Sequence, residues 1–70
     1  GAPARLARLT ERERAVLVLL ADGLTNAQIA ESLVVQESTV KFHLQNMFQK
    51  LGVANRTEAA QVYFRERPGG

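Results

Sequence analysis

Four stretches of this chain repeat apolar residues at the spacing of a helix face. Val16, Leu17, Leu19 and Leu20 form the first stripe, and Ile29, Ala30 and Leu33 the second. Val40, Leu44, Met47 and Leu51 form the third, at steps of 4, 3 and 4. Ala59, Ala60, Val62 and Tyr63 or Phe64 form the fourth. No stretch alternates as a strand would, and no proline interrupts residues 4–67. The pattern predicts an all-α fold, a four-helix bundle closing one small core.

Start and stop signals bound the stripes. Thr10-Glu11-Arg12-Glu13 reads as a capping box, in which the threonine oxygen accepts a free backbone N–H and Glu13 reaches back. Helix one then runs to about Asp22, with Gly23 as its left-handed stop. Thr25-Asn26-Ala27-Gln28 reads as a second box and opens helix two, through about Leu33. Helix three starts near Gln36 and ends at Leu51, before Gly52. Asn55-Arg56-Thr57-Glu58 reads as a third box and opens helix four, to about Arg65. Residues 1–8 lack a period and read as a linker or lead-in, residues 9–66 as the domain and residues 67–70 as a tail.

The link between helices two and three is only about Val34 to Gln36. So short a link forces a large crossing angle, the arrangement of a helix-turn-helix, and is expected to bury Val34 or Val35 at the elbow. With its apolar stripe turned inward, helix three presents Glu37, Ser38, Lys41, Phe42, Gln45 and Gln49 outward. Lys41 and Gln45 are four apart and share a ridge.

Composition sharpens this picture. Nine Lys and Arg against seven Asp and Glu leave a net charge of only +2. The distribution matters more: Ser38 to Arg56 contains Lys41, Lys50 and Arg56 and no acid. Lysine can donate to guanine and glutamine can pair with adenine, while an outward Phe42 can touch a thymine methyl. Ser38 and Thr39 open helix three, where hydroxyls and free N–H groups can hold phosphate. Lys50 and Arg56 add candidate phosphate contacts, which position without reading sequence. The reading is major-groove binding of double-stranded DNA by helix three.

Other classes lack support. There is no cysteine, a single histidine (His43, read as structural) and no glycine-rich phosphate loop, so an enzyme, a metal site and a cofactor are not expected. Arg12 and Glu13 read as charges tying helix one to its neighbours. The longest apolar run, Ala15 to Ala21, is too short to span a bilayer, and no apolar signal core is present, so the expected location is cytoplasmic with no membrane partner. Two alternatives stay open: a helical protein-interaction module, and a sigma-factor-like promoter-recognition domain.

Five ordered blocks also resemble the LuxR-type, or NarL/GerE-type, DNA-binding domain: Leu9-Thr10-Glu11-Arg12-Glu13, Leu24 to Ala30, Glu37 to Leu44, Lys50-Leu51-Gly52-Val53 and Asn55 to Ala59. The resemblance covers about Leu9 to Phe64. It implies the effector domain of a bacterial transcriptional regulator, response-regulator-like or quorum-type, with a sensing domain expected ahead of Gly1. By resemblance, Lys41, Phe42 and Gln45 face bases, and Thr25, Asn26, Ser38, Thr39, Lys50 and Arg56 lie at phosphates. It further implies a homodimer on an inverted repeat, with Ala59, Val62 and Tyr63 of helix four at the dimer contact. RNA polymerase is a further candidate partner, and no small-molecule ligand is expected in this domain. Two positions depart from the pattern. Gln36 stands where Ser or Thr usually caps helix three, a loss of about 1 kcal/mol. Gln49 stands where a basic residue is common. Both suggest weak DNA binding by this domain alone.

Overall fold

The computed structural model describes residues 4–67. All of their regular structure is helical: α1 (Ala4–Ala7), α2 (Glu11–Ala21), α3 (Asn26–Leu33), α4 (Glu37–Leu51) and α5 (Arg56–Glu66). The four helices expected from the apolar stripes are α2 to α5.

The starts follow local chemistry. Thr10 Oγ1 accepts from Glu13 N at 3.1 Å, while Glu13 Oε1 accepts from Thr10 N at 2.9 Å. Thr25 and Gln28 make the same reciprocal pair at 3.2 and 2.8 Å. The third box closes differently. Asn55 Oδ1 accepts from Glu58 N at 3.0 Å, but Glu58 Oε1 accepts from Ala54 N at 2.7 Å, one residue earlier than expected. Gln36 makes no side-chain cap at the start of α4.

Three helices end by one device. The chain turns left-handed just past the helix, and the next N–H reaches back five residues. Leu24 N bonds Leu19 O at 3.2 Å, Val35 N bonds Ala30 O at 3.0 Å, and Val53 N bonds Phe48 O at 3.0 Å. Glycine takes the left-handed position at Gly23 (φ 92°) and Gly52 (φ 70°). In the turn of the helix-turn-helix, Val34 takes it, at φ 59°. A β-branched residue is rare there because its Cβ crowds the backbone. Of the two valines offered for the elbow, Val35 packs on the core and Val34 is 89% exposed. A left-handed residue at the turn throws its side chain away from the core and brings its successor in.

The core gathers one face of each long helix: Val16, Leu17 and Leu20 of α2, Ile29 and Ala30 of α3, Val40, Leu44, Met47 and Leu51 of α4, and Ala59 and Val62 of α5. Helix α2 is central, packing on α3, α4 and α5. Leu9, the first residue of the expected domain, joins this core, and so does Leu6 from the segment read as lead-in. Their anchors are polar as well. Arg14 Nη2 donates to Leu6 O at 3.1 Å, and Arg5 pairs with Glu66 Oε2 at 2.8 Å. Gly1 to Pro3 and Pro68 to Gly70, the outer parts of the expected linker and tail, lie outside the described residues. Among the described residues no helix is long and apolar enough to cross a membrane.

Candidate nucleic-acid interface

Helix α4 supplies the face. At about 100° per residue, Val40, Leu44, Met47 and Leu51 point one way, and Ser38, Phe42, Gln45 and Gln49 point roughly opposite. Those four are exposed, Phe42 at 61%. Lys41 and Lys50 lie about 180° apart, one on each flank of this face. Lys41 is within about 40° of Gln45, whereas Phe42 is nearer Gln45 than Lys41. The three residues expected at bases therefore share one surface, with Gln45 in the middle. The Phe42 ring meets the half-buried His43 ring edge-on, with centroids 5.9 Å apart. That contact restrains an aromatic side chain which the core does not use.

The residues expected at phosphates have different surroundings. Ser38 is exposed and Thr39 half-buried in the first turn of α4, beside the uncapped N–H groups. Thr25 is exposed, its hydroxyl oxygen accepting from Gln28 N. Half-buried Arg56 reaches across to the start of α3: Nη1 donates to Asn26 Oδ1 at 2.6 Å and Nη2 to Leu24 O at 2.6 Å. Thr25, Asn26 and Arg56 are thus brought together, although 30 positions separate the last two.

Lys50 is committed elsewhere. Its ammonium donates to Glu13 Oε1 at 2.7 Å, and the Glu13 side chain is only 4% exposed. Burial alone pushes the Glu13 carboxyl up. The bonds from Lys50 and the Thr10 backbone, with the charge of Lys50, outweigh that and hold it below the usual carboxylate range. The sequence reading of Glu13 as a structural tie agrees with this contact.

The three residues expected at a dimer contact also divide. Ala59 and Val62 are buried in the protomer's own core, 0% and 4% exposed, because α2 covers that stripe of α5. Tyr63 is half-buried and meets Phe64 edge-on at 5.6 Å, with the Arg67 guanidinium 5.2 Å above the Phe64 ring. Phe64 is 49% exposed. The available surface of α5 is therefore Tyr63 with Phe64, not the Ala59–Val62 stripe. Among the described residues no group of three or more His, Cys, Asp or Glu is placed to hold a metal ion.

The family model for bacterial regulatory proteins of the luxR family matches residues 7–63. The chain belongs to that family. Three similar proteins are regulators by name. The probable transcriptional regulatory protein SgaR of Hyphomicrobium methylovorum is 48% identical over 83% of this chain. The HTH-type transcriptional regulator MalT of Serratia proteamaculans is 51% identical over 81% of it. MalT of Vibrio cholerae is 49% identical over 83%. This luxR-family chain spans 28% of SgaR and 6% of each MalT. Membership makes it a helix-turn-helix domain of DNA-binding transcription regulation.

Proposed function

We propose that the chain is the effector domain of a larger bacterial transcriptional regulator, response-regulator-like or quorum-type, working in the cytoplasm. Helix α4 enters the major groove of double-stranded DNA. Phe42, Lys41 and Gln45 meet base edges, while Ser38, Thr39, Thr25, Asn26 and Arg56 lie along phosphates. Lys50 is left out of the phosphate set because Glu13 already matches its charge. Two copies sit on an inverted repeat and touch through the α5 surface around Tyr63 and Phe64, with RNA polymerase as a further partner.

The single observation that carries this reading is the outward face of α4. It bears Ser38, Phe42, Gln45 and Gln49, holds an exposed aromatic ring, and has Lys41 on its flank. A helix without a partner there would expose that ring to water to no benefit. The width of an α-helix suits the major groove, and these side chains are of the kinds that read it.

Selection of bound sequences from a random duplex pool tests the proposal. The expected result is an enriched inverted repeat, with half-sites about one helical turn apart. Binding should weaken with salt. Arg56 is the one cation assigned to a phosphate, which implies a slope of log K on log salt of about −0.9 per protomer. No enrichment and no salt dependence would favour a protein-interaction module. Stable association with core RNA polymerase alone would favour a sigma-like domain.

A further inference from the structure

Two cations beside the helix-turn-helix are held in opposite ways. Lys50 gives its ammonium to a buried carboxylate, so its charge is matched within the fold. Arg56 is held at two nitrogens by oxygens that carry no formal charge, Asn26 Oδ1 and the Leu24 carbonyl, each at 2.6 Å. The two ion pairs among the described residues, Arg5–Glu66 and Lys50–Glu13, do not include Arg56. Its planar fork is thus fixed in direction with its charge intact. A guanidinium has five N–H donors, so these two bonds leave others unused. Arg56 also borders an open surface hollow with Gly23 and Thr57, so solvent reaches its side chain.

We propose that Asn26 is a positioning residue for DNA binding. Its side-chain oxygen aims the Arg56 guanidinium at a backbone phosphate without neutralising it. The inference rests on the DNA-binding reading above and changes the part played by Asn26, which acts through Arg56 and not by its own contact.

The residue type fits that part. An aspartate at position 26 would lie in the first turn of α3, where negative charge favours the helix, and would form a charge-assisted bond with Arg56. It would suit the fold and cancel the cation. Asparagine holds the same fork and leaves the charge for a partner. For contact with a phosphate, an oriented guanidinium loses less side-chain freedom than a loose one.

The test is a double-mutant cycle on the 70-residue chain. Binding to a mixed-sequence synthetic duplex is measured over a salt series for the parent, Asn26→Ala, Arg56→Gln and the double variant. Thermal unfolding is recorded for each. Arg56→Gln should lower the steepness of the salt slope by about 0.9. Asn26→Ala should keep the parent slope and weaken binding about threefold to tenfold, the net effect of one lost orienting bond. The double variant should bind no more weakly than Arg56→Gln. Arg56→Lys, which keeps the charge and lacks the fork, should resemble Asn26→Ala and covers the case in which Arg56→Gln unfolds. Additive losses in the double variant would overturn the proposal, since Asn26 would then make its own contact. An unchanged slope in Arg56→Gln would overturn it too. A parent chain that binds no duplex would instead overturn the DNA-binding reading itself.

Discussion

The Lys50 ammonium and the Glu13 carboxylate meet at 2.7 Å across 37 positions of sequence, joining the last turn of α4 to the first turn of α2. The same Glu13 oxygen accepts from Thr10 N, so one atom closes a helix cap and a tertiary ion pair. Removing the cation strands a buried carboxylate. Lys50→Met is expected to cost about 1–3 kcal/mol, the lower part of the range because Lys50 is itself 36% exposed. The sign of the pH dependence follows from the depressed carboxyl of Glu13. Its contribution is fully present above the unfolded value, near 4.5, and is lost as pH falls through the lower folded value. Thermal unfolding between about pH 5 and pH 2 should show a shallower acid decline in Glu13→Gln than in the parent. Parallel declines would remove Glu13 as the source.

Val34 offers a gain in stability. Its left-handed φ of 59° costs about 1–2 kcal/mol, and its side chain, 89% exposed, returns little by burial. Glycine removes the crowding but adds freedom to the unfolded chain, about 0.5–1 kcal/mol. Val34→Gly should therefore stabilise by up to about 1 kcal/mol, seen as a rise of up to about 4–8 °C in the unfolding midpoint. A fall would mean that Val34 makes a contact worth more than its strain.

A cap is missing at Gln36. Gln36→Ser should let a hydroxyl accept from the first turn of α4, adding about 1 kcal/mol. Hydrogen exchange at Ser38 and Thr39 is the local readout. Slower exchange there, with α5 unchanged, is the expected result.

Phe42 separates folding from binding. At 61% exposure and outside the core, its replacement by alanine should move stability by no more than about 0.5 kcal/mol. Affinity for a selected duplex should nonetheless drop, with the discrimination at one thymine reduced. Unfolding and titration on the same preparation decide it, and unchanged affinity would take Phe42 out of the interface.

Leu6 tests whether the segment before Leu9 belongs to the fold. It is 5% exposed and packs on the core. Leu6→Ala should cost about 2–4 kcal/mol, large for so small a domain. Denaturant unfolding with an unchanged midpoint would return residues 4–8 to the status of a lead-in.

What could be read from the chain depended on how local the cause was. Thr10 and Thr25 were legible as caps because each box closes within four residues. Asn55 was legible as a cap but its glutamate was misplaced by one, since Glu58 had two nearby backbone donors within reach. The ending at Val34 was hidden because no glycine marks it; a three-residue turn demanded the left-handed position from whatever residue stood there. Helix α1 has only four residues and thus no period, and Leu6 earns its place through partners distant in sequence. The polar side chains of Glu13, Lys50, Asn26 and Arg56 were all visible, but not which acceptor held which cation. That is a matter of how four helices cross. Ala59 and Val62 looked available to a second copy only because nothing local shows that α2 covers them.

The Arg5–Glu66 pair has a mechanical consequence. It fastens the beginning of the described chain to the last residue of α5 at 2.8 Å. Tension applied at residue 4 is therefore divided between α5, through this pair, and α4, on which α1 packs. Displacing the first turn from that end loads the helix that carries Tyr63 and Phe64 and the helix that carries Phe42 together.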